Sequence, residues 1–164
     1  TGGNDTTTGL LGGMLELVNE HPKQRAMLLS DPNIIAESID EFLRLTSPVQ
    51  NLARTTTKEV HKHGVMIPEG KKVLMLYASA NRDPKEFGPT SDTLLVDRKP
   101  KRILSLGYGP HHCLGAAVAR TMAKIALQQI LKNCPKFSVD SASGKFASGS
   151  FVRRHEYLPF THNS

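Results

Sequence analysis

Residues 106 to 116 read Leu106-Gly107-Tyr108-Gly109-Pro110-His111-His112-Cys113-Leu114-Gly115-Ala116. Glycine and proline break this stretch into a loop, and an alanine-rich run that favours a helix follows it. We predict that Cys113 opens that helix, where unpaired N–H groups and the helix dipole favour a thiolate. Gly115 and the alanines after it would leave a flat surface beside the sulfur. One thiolate at the edge of such a surface indicates an axial ligand to haem iron.

Two other interpretations of Cys113 are weaker. A buried cysteine is most often a small apolar side chain, and Cys113 taken alone would be assigned that role. His111, His112 and Cys113 together suggest zinc, but three adjacent ligands do not easily converge on one tetrahedral ion, and the sequence has no Cys-x-x-Cys pair.

Hydrophobic periodicity predicts helices over residues 5–20, over residues 22–29, from Pro32 to just before Ser47, and from Cys113 to about residue 132. Glycines in the first helix cost about 1 kcal/mol each, which indicates close approach by a ligand or another element. Residues 49–60 read as extended. Residues 65–67 and 73–76 read as a hairpin around Pro68-Glu69-Gly70, and residues 137–160 as a second hairpin.

Four ordered segments resemble motifs of the soluble bacterial cytochrome P450 monooxygenases. The stretch around Cys113 is similar to their cysteine-ligand loop. The other three matches are Gly2-Gly3-Asn4-Asp5-Thr6-Thr7 with the oxygen groove, Glu41-Phe42-Leu43-Arg44 with Glu-x-x-Arg, and residues 80–84 and 97–100 with the segments before the loop. The resemblance spans essentially all residues. It implies the C-terminal part of the P450 fold, a mainly α protein with small β-sheets (α+β).

The resemblance also implies that residues 1–164 are the C-terminal portion of a longer domain, since the chain begins inside the oxygen-groove motif. The absent N-terminal half would close the haem cavity and cover apolar surface. We therefore expect the chain alone to bind haem weakly, to lack useful activity, and to need that half or self-association.

Cofactor residues follow from the same resemblance, which implies a b-type haem. Cys113 would be the iron ligand, and Arg54 and His111 would reach the propionates. Leu106 stands where the family commonly has an aromatic residue, and Ile103 stands where a histidine is often found. The other implied haem-contacting positions are Gly107, Gly109 and Gly115.

Asp5 and Thr6 place a carboxylate beside an alcohol in the groove motif. By resemblance they deliver protons during oxygen activation, which is general acid–base chemistry. Taken without the other motifs, the pair is more simply a helix N-cap. The resemblance assigns the substrate pocket to Gly2, Gly3, Val49, Leu52 and Phe151.

Glu41 and Arg44 lie three residues apart, on one face of a predicted helix. By resemblance they form a buried network with Arg98 that holds the irregular segment before the cysteine loop. We assign this network a structural role and no catalysis.

The composition is that of a soluble protein, with 38% hydrophobic residues and a net charge of +6. No apolar run is long enough to span a membrane. Basic residues that are not interleaved with aromatics argue against nucleic acid. The two cysteines are too far apart to pair, as fits a reducing cytoplasm.

Five residues would form a basic patch for an acidic ferredoxin: Lys99, Lys101, Arg102, Arg120 and Lys124.

The leading hypothesis is a monooxygenase that inserts one oxygen atom of dioxygen into an apolar substrate. Its electrons would come from NAD(P)H through a reductase and the ferredoxin. Two alternatives stay open: a haem-thiolate binder or gas sensor without turnover, and a structural remnant without haem. Asp5 and Thr6 argue against the first alternative, because binding alone needs no proton relay.

Overall fold

A computed structural model describes residues 3–149 and 151–162. Within these residues it has six α-helices and eight short strands, so the predicted mainly α fold with small sheets is confirmed. The helices are α1 (Asn4–Glu20), α2 (Pro22–Ser30), α3 (Ile34–Thr46), α4 (Tyr77–Ala80), α5 (Pro84–Phe87) and α6 (Ala116–Asn133). The strands are β1 (Leu52–Thr55), β2 (Val60–Lys62), β3 (Val65–Ile67), β4 (Lys72–Met75), β5 (Phe137–Val139), β6 (Lys145–Phe146), β7 (His155–Tyr157) and β8 (Phe160–His162).

The core lies where α1, α3 and α6 pack against one another. In α3 the apolar stripe of the sequence is fully buried, with Ile35, Ile39 and Phe42 each at most 2% exposed. Spacing of three and four residues puts these side chains on one helix face, and their burial supplies much of the driving force for helix docking. None of the described helices is both long and apolar enough to cross a membrane.

Close contact explains a glycine inside α1. A Cβ atom built on Gly9 would lie 2.5 Å from the carbonyl oxygen of Arg153. The chain segment before β7 therefore lies directly against the backbone of α1. The lower helix propensity at this position is offset by an approach that no side chain permits.

The predicted hairpin pairing is wrong. β3 pairs with β2, and β4 pairs with β1, all antiparallel. His63 and Gly64 both have positive φ, +47° and +77°, which is the backbone of a two-residue hairpin turn. That turn joins β2 to β3, and β4 is left to pair with the distant β1. In the tail, β5 pairs with β8 and β6 pairs with β7, so one hairpin is nested inside another.

Two predicted helix starts are also wrong. The helix that was predicted from Pro32, α3, begins at Ile34, and Asp31 before it accepts the N–H of Asn33 on its Oδ1 at 3.0 Å. Cys113 does not open α6, which begins at Ala116. The carbonyl of Cys113 accepts the N–H of Ala116 at 3.2 Å, so the cysteine belongs to a turn before the helix.

A buried ion-pair network anchors the long irregular segment that precedes the cysteine loop. Glu41 is 0% exposed and accepts Nε of Arg44 at 2.7 Å and Nε of Arg98 at 3.1 Å. Its Oε1 also accepts the N–H of Leu95 at 3.2 Å. The two arginines donate further bonds to backbone carbonyls of residues 81–93. Five hydrogen bonds, all of them to the charged side chain of Glu41 or Arg44, thus hold residues 81–98 against α3.

We expect Glu41→Ala to lower the free energy of unfolding by about 3–5 kcal/mol, because it leaves a buried arginine without its carboxylate. Asp92→Ala is the control: Asp92 belongs to the same segment, but its pair with Arg82 is exposed and screened by water. Urea denaturation followed by circular dichroism would measure both. Equal losses in the two variants would contradict a special role for Glu41.

Candidate functional site

The cysteine loop is closed by its own backbone. The N–H of Cys113 donates to the carbonyl of Leu106 at 2.7 Å. Gly107 has φ +71°, and a Cβ atom there would lie 2.8 Å from the carbonyl oxygen of His111. Only glycine meets both conditions without strain. A short 3-10 turn, Gly109–His111, completes the loop before Cys113.

An open cleft of about 450 Å³ lies between this loop, the start of α1 and the segment from α3 to β1. Volumes of this order suit small-molecule and cofactor sites. Its lining includes eight of the residues that the sequence singled out: Thr6, Val49, Leu52, Arg54, Leu106, Gly107, His111 and Cys113. Three parts of the chain that are distant in sequence therefore converge on one cavity.

Other predicted site residues lie outside the lining. Asp5 is exposed, and its Oδ1 lies 3.2 Å from Nε of Arg154. Phe151 is 50% exposed, although its carbonyl accepts the N–H of Gln50 at 2.7 Å and so reaches the segment that holds Val49. Gly2 lies outside the described residues. The remaining predicted residues that do not line the cleft are Gly3, Gly109 and Gly115.

The N-cap interpretation of Asp5 and Thr6 is wrong. Gly3 occupies the N-cap position of α1, and no side chain caps this end. Asp5 and Thr6 instead lie within the first turn of the helix. There the Asp5 carboxylate interacts favourably with the positive end of the helix dipole.

The chemistry of the lining suits a large apolar group with anionic substituents and one metal atom. Most lining side chains are apolar, Arg54 adds a positive charge, and no carboxylate lies among the described lining residues. Cys113 supplies one exposed sulfur. In the described part of the chain no group of three or more His, Cys, Asp or Glu side chains could enclose a metal ion. The residues present thus fit a haem with a single protein ligand on this side, and not the zinc alternative.

Sequence reasoning missed part of the cleft. The additional lining residues are Thr7, Leu10, Leu43, Pro48, Tyr77 and Ser105, whereas Ala119 is one of the alanines that were predicted to lie beside the sulfur. Several of them are next in sequence to a predicted site residue, and this adjacency was the signal that could have identified them. Tyr77 had no such indication, because the pairing of β4 with β1 brings it to the cleft.

The predicted basic patch is partly neutralised. Lys99 donates to Glu37 at 2.7 Å, and Arg120 pairs with Asp40 at the same distance. The hydrogen bond to Glu37, with its charge, raises the pKa of Lys99. Three basic residues of the patch remain without a carboxylate among the ion pairs of the described residues: Lys101, Arg102 and Lys124.

We expect Gly107→Ala to disturb the cysteine loop, because the new methyl group would meet the carbonyl of His111 as well as strain the backbone. Gly70→Ala is the matched control, since Gly70 has φ +77° but open space around it. Thiol alkylation, with Cys134 as the internal reference, would show an altered rate at Cys113 in the first variant only. The same change in both variants would assign the effect to backbone strain alone.

The chain is similar to curated proteins over nearly its whole length. Among curated proteins, cytochrome P450 130 of Mycobacterium tuberculosis is 50% identical over 160 residues, which is 98% of this chain and 40% of that protein. The steroid C26-monooxygenase of Mycolicibacterium smegmatis is 33% identical over 159 residues, or 96% of this chain and 39% of that protein. The chain spans about 40% of the length of these curated relatives.

Solved structures give the same result. P450BioI, in complex with an acyl carrier protein ligated with hexadec-9Z-enoic acid, superposes with a TM-score of 0.92 at 32% identity. That match covers 99% of this chain and 42% of P450BioI. The monooxygenase TamI bound to tirandamycin C gives a TM-score of 0.93 at 33% identity, over 99% of this chain and 41% of TamI. The sequence profile of cytochrome P450 matches residues 14–148, and the chain belongs to the cytochrome P450 family.

Proposed function

We propose that the complete protein is a haem-thiolate monooxygenase that inserts one atom of dioxygen into an apolar organic substrate. The observation that carries this proposal is the convergence of Cys113, Arg54 and Thr6 on one largely apolar cleft. These three side chains offer a metal ligand, a partner for an anionic group and a hydroxyl for proton transfer. They come from the cysteine loop, β1 and α1, and the fold alone brings them together.

Membership of the P450 family implies a haem with a cysteine-thiolate ligand and electrons that derive from NAD(P)H. Cys113 is the proposed ligand, because it lines the cleft and Cys134 lies at the far end of α6. When bound, the haem would supply oxygen activation, favoured by electron density from the thiolate. Arg54 and His111 would hold its propionates through charge-assisted hydrogen bonds.

Asp5 and Thr6 are the proposed proton-transfer pair. Thr6 lines the cleft, and the adjacent Asp5 faces solvent with a side chain that is 56% exposed. Asp5 would take up protons from water and pass them to the hydroxyl of Thr6, which is short-range general acid–base chemistry. To do so the Asp5 carboxylate would leave Arg154, and an exposed ion pair of this kind is weak.

An apolar substrate suits the side of the cleft formed by Leu10, Leu43, Val49 and Leu52. One relative is named for a steroid, and the P450BioI structure holds a long-chain fatty acid on its carrier protein. Both are apolar molecules, and burying such surface is worth roughly 25 cal/mol for each Å².

An acidic ferredoxin, reduced by its reductase, is the proposed electron donor. Lys101 and Arg102 are exposed beside the cysteine loop and supply positive charge for docking.

An apolar strip on α6 is exposed: Val118 at 62%, Met122 at 47% and Ile125 at 51%. This exposure supports the proposal that another part of the complete protein, or a second copy of the chain, covers the strip. Two free cysteines agree with a cytoplasmic setting.

A haem protein without turnover is the second candidate. It needs the same thiolate and the same propionate partner, so Cys113 and Arg54 do not separate the two. Thr6 separates the two candidates, because a hydroxyl in the cleft serves proton delivery and adds nothing to haem ligation.

We expect Cys113→Ala to abolish the red-shifted Soret band of thiolate ligation in the reduced protein with carbon monoxide. The expected loss is complete, because no other sulfur lines the described cleft. Cys134→Ala is the matched control and should keep the band. A Cys113→Ala protein that retained it would exclude Cys113 as the ligand.

We expect Thr6→Ala to uncouple turnover, so that NAD(P)H consumption continues while product per NAD(P)H falls by roughly tenfold or more. Peroxide should rise in step. Thr8→Ala is the control, since Thr8 is exposed and its Oγ1 donates to the carbonyl of Asn4 at 2.9 Å. Unchanged coupling in Thr6→Ala, with haem bound, would contradict the proton-transfer role of Thr6.

A further inference from the structure

Asn81 is a buried amide whose polar atoms are all bonded within the protein. It follows α4 and is 1% exposed. Its Nδ2 donates to the hydroxyls of Ser47 and Ser105, both at 2.8 Å. Its Oδ1 accepts the N–H of Leu104 at 2.8 Å. A single side chain thus makes three short hydrogen bonds to two segments that are far apart in the sequence.

Asn81 and the two serines that it contacts also bond to the C-terminal end of α3, which is buried. The carbonyl of Asn81 accepts Nη1 of Arg44 at 2.7 Å. Ser47 Oγ donates to the carbonyl of Arg44 at 2.7 Å, and Ser105 Oγ donates to the carbonyl of Leu43 at 2.6 Å. Asn81 therefore couples the Glu41 network directly to the residues that enter the cysteine loop.

Two backbone hydrogen bonds link Leu104 and Leu106 to the cysteine loop. The carbonyl of Leu104 accepts the N–H of Gly107 at 2.9 Å, and the carbonyl of Leu106 accepts the N–H of Cys113 at 2.7 Å. Leu104 and Ser105, which Asn81 holds, thus immediately precede the residue that closes the loop on Cys113. Ser105 also lines the cleft.

The chemistry at this position requires an amide. Each serine hydroxyl has one hydrogen, and both hydrogens are given to backbone carbonyls of α3, so both oxygens must accept a bond. The NH₂ group of asparagine donates two bonds while its oxygen accepts from Leu104. An ionised aspartate of the same shape accepts only, and it would face two oxygen atoms.

We propose that Asn81 is a positioning residue for Cys113: its amide sets the place of residues 104–106 and thereby the direction from which the sulfur enters the cleft. This inference rests on the proposed role of Cys113 as the metal ligand. Its effect on the loop backbone is measurable separately from that role.

The first test is amide hydrogen exchange in the complete protein carrying Asn81→Ala or Asn81→Asp. In Asn81→Ala the Leu104 amide loses its acceptor, and we expect it to exchange on the order of tenfold faster. In Asn81→Asp the Leu104 acceptor remains, but both donors are lost, and the Cys113 amide should still exchange several-fold faster. Wild-type exchange at Cys113 in both variants would overturn the proposal.

The matched control is Asn19→Ala. Asn19 likewise bridges two segments, with Nδ2 and Oδ1 bonded to the backbone of Val139 at 3.3 Å, but it holds α1 to β5 and not the cysteine loop. We expect it to leave exchange at Leu104 and Cys113 unchanged. Faster exchange at Cys113 in this control would assign the effect to general loss of stability and overturn the proposal.

The second test is the Soret band of the reduced protein with carbon monoxide. Asn81→Asp preserves side-chain volume, so an unchanged share of thiolate-ligated haem would mean that packing alone matters at this position and would overturn the proposal. We expect that share to fall in Asn81→Asp and to stay at the wild-type level in Asn19→Ala. Should Asn81→Ala fail to fold, Ser105→Ala removes one of the three bonds, and a smaller increase in Cys113 exchange is the expected result.

These readouts separate the ligand role of Cys113 from the positioning role of Asn81. If Cys113→Ala retains the thiolate band, the proposed ligand is wrong, whatever Asn81 does to the loop. If Cys113→Ala loses the band but the Asn81 variants change neither exchange nor the band, the ligand stands and the positioning role is wrong.

Discussion

The carboxylate of Glu41 is fully buried and has two arginines as partners, and the irregular segment of residues 81–98 depends on it. A buried charge is costly unless opposite charges and hydrogen-bond donors surround it. Arg44 and Arg98 meet that need only when residues 81–98 lie against α3, because their remaining donors reach carbonyls of that segment. The requirement to neutralise one carboxylate thus determines the path of a segment with little regular secondary structure.

The position of the cysteine loop follows from this constraint. Asn81 receives a bond from Arg44 and holds Leu104 and Ser105, so the network extends to the entrance of the loop. Gly107 then permits the tight turn that ends with Cys113 bonded to Leu106. The exposed side chain of Cys113 is in this way positioned by a buried part of the protein.

Much of this organisation was accessible from the sequence. The amphipathic pattern of α3 and its end before Ser47 were predicted correctly, since spacing and a following Ser-Pro pair act locally. The Glu41-x-x-Arg44 spacing and the loop around Cys113 identified residues that the structure places in one buried network and one cleft. The sequence predicted that β3 pairs with β4, which is wrong: two residues with positive φ, His63 and Gly64, close a hairpin of β2 and β3, and β4 pairs with β1.

What the sequence by itself determined is local: the main helical segments, the glycine-rich loop, and the residues that are candidates for the site. The tertiary structure alone decided that Cys113 lies in a turn before α6, that Asp5 faces Arg154 outside the cleft, and that Tyr77 and Ser105 line it. The central place of Asn81 also emerged only there. The physical reason is that hydrogen bonds and ion pairs between distant segments depend on the complete packing, and no periodicity along the chain encodes them.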